Sequence, residues 1–262
     1  MIDQTRSGKY VIPILYMDNH LLAAVKPPNM PSQADASRDE DMLTALKRYV
    51  AAAYNKPGAA YLGLVHRLDR PAGGVMLFAR TSKAAARLSA DFAGSRVKKA
   101  YWAVVQGNMG SAVELTHYLL KDASAGTVRE AQQDEPGAKL ARLNSAPVRA
   151  RDGLTLTRVE LYTGRSHQIR VQHMLAGHPV WGDSLYGDGA TDYHTEAQRR
   201  QRAQRESLYG NGTPRQLALW AAELTVTHPT LKTELTFTSA PPQSGIWVLF
   251  EDILFSGDGR RA

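Results

Sequence analysis

Short apolar and β-branched runs, separated by turn residues, dominate the hydrophobic pattern of the chain. Runs of this length bounded by glycine, proline, asparagine or aspartate are typical of β-strands. The pattern predicts strands at residues 8–16, 21–26, 62–65, 75–78, 101–105, 154–162, 223–228 and 234–238. Residues 121–137 are polar and contain Gly126, Pro136 and Gly137, which predicts a loop or a weak hairpin.

Helical spacing of apolar residues occurs in fewer segments. It predicts a helix over residues 41–54, a helix capped by Ser82 and a short helix capped by Ser166 that ends at Gly177. An amphipathic helix is predicted over residues 246–255. Because no long linker divides the chain, we expect one domain over residues 1–262, with its core at about 10–255.

Composition excludes several classes of protein. The 262 residues include no cysteine, which excludes disulfides, thiol nucleophiles and cysteine-ligated metals. No run approaches the roughly 18–20 apolar residues of a membrane-spanning helix. The first residues do not resemble a signal peptide, and the lack of cysteine fits a reducing compartment. We therefore expect a cytoplasmic protein that does not enter a membrane.

The charge balance adds a first indication of a partner. Lysine and arginine number 32 against 25 acidic residues, the formal net charge is +7, and 22 of the cations are arginine. Arginine pairs well with phosphate and stacks on bases, so RNA or DNA is one explanation and simple solubility is another. Residues 188–215 form a basic insert, interpreted first as a solvated or mobile segment and second as an RNA-binding arm.

Residues 66–70 place one carboxylate between two guanidinium groups. If Arg67 and Arg70 stay close, they favour the ionised form of Asp69, which suits a nucleophile or an electrostatic stabiliser. Taken alone, the segment is better explained as a surface ion-pair cluster or as an aspartate-capped turn before Pro71.

Two further segments concentrate groups that bind anions or bases. Arg165, His167 and Arg170 lie at the start of the predicted third helix, where backbone N–H groups also favour anions. Lys99 and Tyr101 begin a strand in which a cation adjoins an aromatic ring, as in many surfaces that bind nucleic acid. Capping and core packing are the alternative explanations for both segments.

Together, in chain order, these segments resemble the motifs of the RluA family of RNA pseudouridine synthases. The resemblance covers most of the chain. It rests on residues 14–31, 66–71 with 78–81, 99–107, 164–171 with 177–179 and 182–187, and 217–221 with 228–229. It departs from the usual family pattern at Gly73, Gln172 and Trp220. Because the catalytic motifs begin near residue 10, we expect a member without an S4 RNA-binding domain.

The resemblance implies a fold, a reaction and a set of site residues. The fold would be α+β, with a long, mixed and mostly antiparallel sheet flanked by helices and loops. The reaction would isomerise uridine in rRNA or tRNA to pseudouridine after base flipping, without metal or organic cofactor. Asp69 would be the catalytic aspartate, Tyr101 would pack against the flipped base, and Arg170 would pair with Asp69. RNA contacts would come from His66, Arg67, Arg70, Arg80, Lys99, Arg165 and His167. The partner would be RNA, and a monomer is the default expectation.

Two other functions compete with this one. The first is an RNA-binding protein or RNA chaperone without catalytic activity, in which Asp69 would be dispensable. The second is a hydrolase that uses Asp69 with a second carboxylate, for which Asp183 and Glu160 are loose candidates.

Overall fold

The computed structural model describes residues 3–55, 57–58, 60–187 and 216–255. The basic insert at 188–215 lies outside the described residues. The chain divides into two compact units, one of Met1–Ala100 with Ala221–Ser239 and one of Tyr101–Trp220 with Ala240–Ala262. The described strands belong to a 12-stranded sheet. The predicted α+β class is confirmed.

Strands outnumber helices throughout the described residues. In chain order the elements are β1 (Gln4–Ser7), β2 (Tyr10–Met17), β3 (Leu21–Lys26), α1 (Met42–Ala53), β4 (Gly63–Leu64), β5 (Gly73–Ala79), α2 (Ser82–Ala93), β6 (Lys98–Gln106), β7 (Val113–Asp122), β8 (Thr127–Ala131), β9 (Lys139–Arg151), β10 (Leu154–Leu161), α3 (Gln168–Leu175), β11 (Leu219–Thr227), β12 (Glu234–Thr238), a 3₁₀ helix (Gly245–Phe250) and α4 (Glu251–Leu254). None of the helices that the structure describes is long and apolar enough to cross a membrane.

In the first unit, the strand order is β1-β2-β3-β5-β11, with β4 on β5 and β12 on β11. Strands β3 and β5 pair antiparallel, with Ala23 opposite Leu77, and every residue of both strands is buried. A strand covered on both faces reads as a continuous apolar run, which explains why both were predicted from sequence. On one face, their side chains pack with Leu88 of α2 and Leu224 of β11.

In the second unit, the order is β6-β10-β9-β7-β8. The longest strand, β9, was not predicted. Its inward positions include Ala141, Leu143 and Ser145, so two of the three are small and the period-two hydrophobic pattern is weak. Helix α3 packs through Val171 on a cluster that includes Ala141 and Tyr186.

Several local predictions are corrected by the cap geometry. Thr81, not Ser82, caps α2, because the Thr81 side chain accepts the N–H of Ala84. Residue His167, not Ser166, is the N-cap of α3, and it has a left-handed φ of 51°. The predicted helix over 246–255 is a 3₁₀ helix followed by the short α4. Strand β7 was not predicted; it pairs with β8 in a hairpin whose turn and second strand lie in the polar segment 121–137, where a loop or a weak hairpin was predicted.

Candidate active site

Asp69 lies in the loop between β4 and β5 of the first unit and is half-buried. Its carbonyl accepts the N–H of Ala72, which closes a turn across Pro71. The chain then enters β5, whose second residue, Gly74, has a φ of 116°. A Cβ at Gly74 would lie 2.3 Å from the carbonyl oxygen of Ala221, so only glycine fits this position.

The end of β3 and the loop that follows it hold the backbone on both sides of Asp69. The ammonium of Lys26, the last residue of β3, has no exposed surface and donates to the carbonyls of Pro27 at 3.0 Å, Met30 at 2.6 Å and Arg70 at 2.9 Å. On the other side, the hydroxyl of Ser32 in the loop donates to the carbonyl of Leu68 at 2.8 Å and accepts its N–H at 3.2 Å. The residues before and after Asp69 are therefore both anchored, one to the end of β3 and one to the following loop.

Lys26 also places a buried cation within electrostatic range of the candidate catalytic carboxylate. Burial lowers the pKa of Lys26 to about 7, the negative charge of Asp69 acts in the opposite direction, and the charge of Arg70 lowers it further. A buried lysine with a strongly shifted pKa beside a carboxylate is typical of functional sites. Lys26 lies within the sequence motif at residues 14–31, but no role was predicted for it. Its position at the end of an apolar strand was the feature of the sequence that could have indicated a buried lysine.

The two arginines beside Asp69 differ in their surroundings. Arg67 is exposed. The guanidinium of Arg70 pairs with Asp39, donates to the Ser37 hydroxyl at 3.0 Å and lies 3.7 Å from Asp35. Hydrogen bonds from Arg70 and Ser37 lower the pKa of Asp39. The loop that contains Asp35 and Asp39 thus already binds the guanidinium of Arg70, which was predicted to contact RNA.

His66 is built into the first unit as a neutral ring. Its Nε2 accepts the N–H of Leu77 at 2.9 Å, and the ring stacks on Phe92 at 4.5 Å between centroids. Burial, and secondarily the charge of Lys99, lowers the pKa of His66 to about 3. His66 is uncharged at neutral pH, so it offers phosphate no positive charge.

Arg80 also has protein partners in the first unit. Its guanidinium donates to the carbonyl of Asp18 and, at 2.8 Å, to the hydroxyl of Tyr54, and it lies 4.3 Å from the centre of the Tyr54 ring. The Asp18 carboxylate accepts a hydrogen bond from buried His228 at 2.8 Å. Arg80 therefore joins the β2–β3 turn to the end of α1.

Lys99 is half-buried on β6 in the first unit, and the remaining predicted residues lie in the second unit. Tyr101 is half-buried on β6, and Arg165 is exposed, with its Nε donating to the carbonyl of Leu140 at 2.9 Å. The Arg170 guanidinium forms a buried bidentate pair with Asp183, with Nε–Oδ2 and Nη2–Oδ1 distances of 2.7 Å. Asp183 lies in the sequence motif at residues 182–187, but the only role predicted for it was that of a second carboxylate in a hydrolase. The proposed pairing of Arg170 with Asp69 stays a prediction.

His167 and Arg170 meet at one tyrosine. The Nδ1 of His167 lies 2.8 Å from the hydroxyl of Tyr186, and the Arg170 guanidinium lies 5.1 Å from the centre of the Tyr186 ring. The three-residue spacing predicted that His167 and Arg170 share a helix face. His167 instead precedes α3 as its N-cap, and the two side chains come together through their contacts with Tyr186.

The chain is similar to a family of RNA-modifying enzymes and to several of its members. The family described as RNA pseudouridylate synthase matches residues 20–176. Ribosomal large subunit pseudouridine synthase C of Escherichia coli (strain K12) is 34% identical over 221 residues, which cover 82% of this chain and 62% of that protein. Ribosomal large subunit pseudouridine synthase D of Pseudomonas aeruginosa is 31% identical over 237 residues, covering 90% and 70%.

The matches to these pseudouridine synthases cover a larger share of this chain than of the relatives' own sequences. The synthase C of Vibrio parahaemolyticus is 32% identical over 183 residues, which cover 70% of this chain but 55% of that protein, so the chain spans little more than half of this relative. The structure of human RNA Pseudouridylate Synthase Domain Containing 4 superposes with a TM-score of 0.67 at 24% identity over 88% of both chains, which shows the shared fold. The matched family segment covers more than half of the chain, including the Asp69 loop and all of α3, and the chain therefore belongs to the RNA pseudouridylate synthase family.

Proposed function

We propose that this protein is an RNA pseudouridine synthase, with ribosomal RNA as the first substrate class to test and transfer RNA as the second. The observation that carries the proposal is the Asp69 turn, which Lys26 and Ser32 hold on both sides inside the segment that matches the family. The relatives named above as ribosomal large subunit enzymes support the choice of ribosomal RNA. The proposal places the protein in the cytoplasm, where it would meet this RNA.

The reaction is an isomerisation, so the atoms of uridine balance without a co-reactant. The C1′–N1 bond breaks, the uracil turns, a C1′–C5 bond forms, the C5 proton leaves and N1 gains a proton. The target base must leave the RNA stack before a side chain can reach C1′. The Asp69 carboxylate acts on the ribose by attack on C1′, by stabilising positive charge there or by removing a 2′ proton.

The geometry of the turn supports this role for Asp69. Hydrogen bonds from Lys26 and Ser32 to the residues on both sides of Asp69 anchor the backbone, which reduces the freedom of the Asp69 side chain. In the proposal, Tyr101 packs on the flipped base and Arg170 pairs with Asp69. Exposed Arg67 and Arg165 would contact phosphates, with Lys99, Arg70, Arg80 and His167 beside them, whereas His66 would support the loop as a neutral residue.

The direct test is pseudouridine mapping by carbodiimide on rRNA and tRNA transcripts incubated with the purified protein. We expect product with the wild-type protein and none with Asp69→Asn, with RNA affinity changed less than about twofold. Asp91→Asn is the matched control, because it removes a carboxylate of the same unit on α2, where Asp91 pairs with Arg96. Folded wild-type protein that binds both RNAs and modifies neither would leave an RNA-binding protein as the better interpretation.

A further inference from the structure

The segment after Gly182 is a tight turn whose carboxylate is held by its own backbone. The Oδ1 of Asp183 accepts the N–H groups of Leu185 at 2.9 Å and Tyr186 at 3.0 Å. The Asp183 carbonyl accepts the N–H of Gly187 at 3.1 Å. Because these hydrogen bonds hold both ends of the turn, the turn itself sets the direction of the Asp183 carboxylate.

This carboxylate receives Arg170 in a fixed plane. The Nε and Nη2 groups donate to two different oxygens of Asp183, and the two side chains are 3% and 0% exposed. A bidentate pair sets the orientation of a guanidinium as well as its position. Burying two charges is costly, so the pair is better explained by orientation than by a gain in stability.

The last residue of the turn fixes a second side chain of the candidate site. Tyr186 is 5% exposed, and its hydroxyl oxygen accepts the N–H of Val128 at 2.7 Å. The same hydroxyl lies 2.8 Å from Nδ1 of His167, so it can donate its proton to that nitrogen. In that arrangement the neutral imidazole would carry its own proton on Nε2, and Nε2–H would be a hydrogen-bond donor.

His167 needs such support because its backbone is in an unusual conformation. Its φ of 51° lies in the left-handed region, which non-glycine residues adopt at a cost. The ring of Tyr186 lies edge-on to the imidazole of His167, with the ring centroids 5.6 Å apart. Hydroxyl and ring together hold His167 at the start of α3.

We propose that the turn at residues 183–186 is the positioning element of the second unit, with Asp183 orienting Arg170 and Tyr186 fixing the tautomer and direction of His167. Neither Asp183 nor Tyr186 would touch the RNA; each acts through the residue it holds. This inference rests on the proposed function, since the reaction is its principal readout.

A double-mutant cycle tests the action of Tyr186 through His167. Tyr186→Phe removes only the hydroxyl, and we expect a fall of about tenfold in kcat/KM in the wild-type background. In the His167→Ala background the same change should cost less than about twofold, because the residue it positions is gone. An equal fall in both backgrounds would make Tyr186 merely structural and overturn the proposal. If His167→Ala is inactive, the same comparison is made on the dissociation constant of the RNA transcript.

Thr155→Val is the matched control in the same unit. The buried Thr155 hydroxyl accepts the N–H of Met109 at 3.1 Å and donates to the carbonyl of Gly107 at 2.7 Å, so its loss also leaves a buried N–H without its acceptor. We expect a similar loss of thermal stability and unchanged kcat/KM. A fall in activity equal to that of Tyr186→Phe would attribute the effect to stability and overturn the proposal.

A second measurement does not depend on activity. Nitrogen-15 NMR of the imidazole should show His167 protonated on Nε2 in the wild-type protein, with a mixture of tautomers in Tyr186→Phe. Protonation on Nδ1 in the wild-type protein would overturn the assignment. Absence of pseudouridine with wild-type protein would contradict the proposed function instead, which keeps the two failures distinct.

The proposed role of Asp183 is tested with Asp183→Asn, which keeps the shape of the side chain and removes its charge. We expect kcat to fall more than about tenfold while the KM for RNA changes less than about threefold, as for a group that orients a reacting residue. Equal loss of kcat and of folded protein would assign Asp183 to the fold alone.

Discussion

The ammonium of Lys26 donates to the carbonyl of Arg70, the residue that follows the candidate catalytic Asp69, at 2.9 Å. Lys26 is thus both a backbone clamp and a buried charge. Lys26→Met keeps most of the side-chain volume but leaves three carbonyls without this donor. We expect a loss of ~1–3 kcal/mol in the free energy of unfolding, measured by urea denaturation at pH 9.

The loss in the free energy of unfolding caused by Lys26→Met should increase with pH. The pKa of Lys26 is about 7 in the folded protein, against 10.5 for an ordinary lysine, so between these values the unfolded chain binds more protons. The stability of wild type relative to Lys26→Met should therefore rise as the pH increases from about 7 to about 10. A difference that is the same at pH 6.5 and pH 9.5 would contradict the assigned pKa.

The pair between Arg70 and Asp39 predicts an effect on RNA affinity. RNA phosphate must compete with the carboxylate for the guanidinium, so Asp39→Asn should tighten binding about two- to fivefold at low salt and less at high salt. Asp91→Asn, which changes the net charge equally and disrupts the exposed Arg96 pair, is the control. Equal tightening by both variants would show that only net charge matters.

Gly74 predicts a steric effect that can be separated from backbone strain. Gly74→Ala brings a Cβ to 2.3 Å from the Ala221 carbonyl oxygen at a φ of 116°. Gly58→Ala has a similar φ of 98° but no heavy atom within 4 Å. We expect Gly58→Ala to lose ~1 kcal/mol in thermal denaturation and Gly74→Ala to lose several times more or to fail to fold. Equal losses would contradict the close approach.

The neutral state of His66 predicts both a titration and a binding result. With a folded pKa of about 3, His66 stays uncharged while the unfolded residue takes up a proton near pH 6.5. Stability should therefore fall as the pH drops below about 6.5, and less so in His66→Gln. His66→Gln should leave the salt dependence of RNA binding unchanged, whereas Arg67→Gln should lower its slope by about one. A lower slope in both variants would restore His66 as a charged RNA contact.

Much of the fold was readable from sequence because apolar runs specify strands that are covered on both faces. β3 was predicted at its observed bounds, and α1 differs by one residue at each end. β9 was missed because small residues at its inward positions weaken the alternation, and a cap was misplaced at α3 because a histidine in a left-handed conformation has no pattern along the chain. The candidate residues Asp69, Tyr101 and Arg170 came from motifs in sequence order.

What the sequence determined by itself was local: the strand-rich pattern, the absence of thiol chemistry and the ordered motifs. The tertiary structure alone decided which groups hold the site residues. Lys26 and Arg70 are 44 positions apart, and Ser32 and Leu68 are 36 apart, so their hydrogen bonds leave no periodic signal in the chain. Burial likewise decided which polar groups are charged, since His66 and Lys26 depart from their ordinary pKa values through loss of water, which depends on the packing of distant segments.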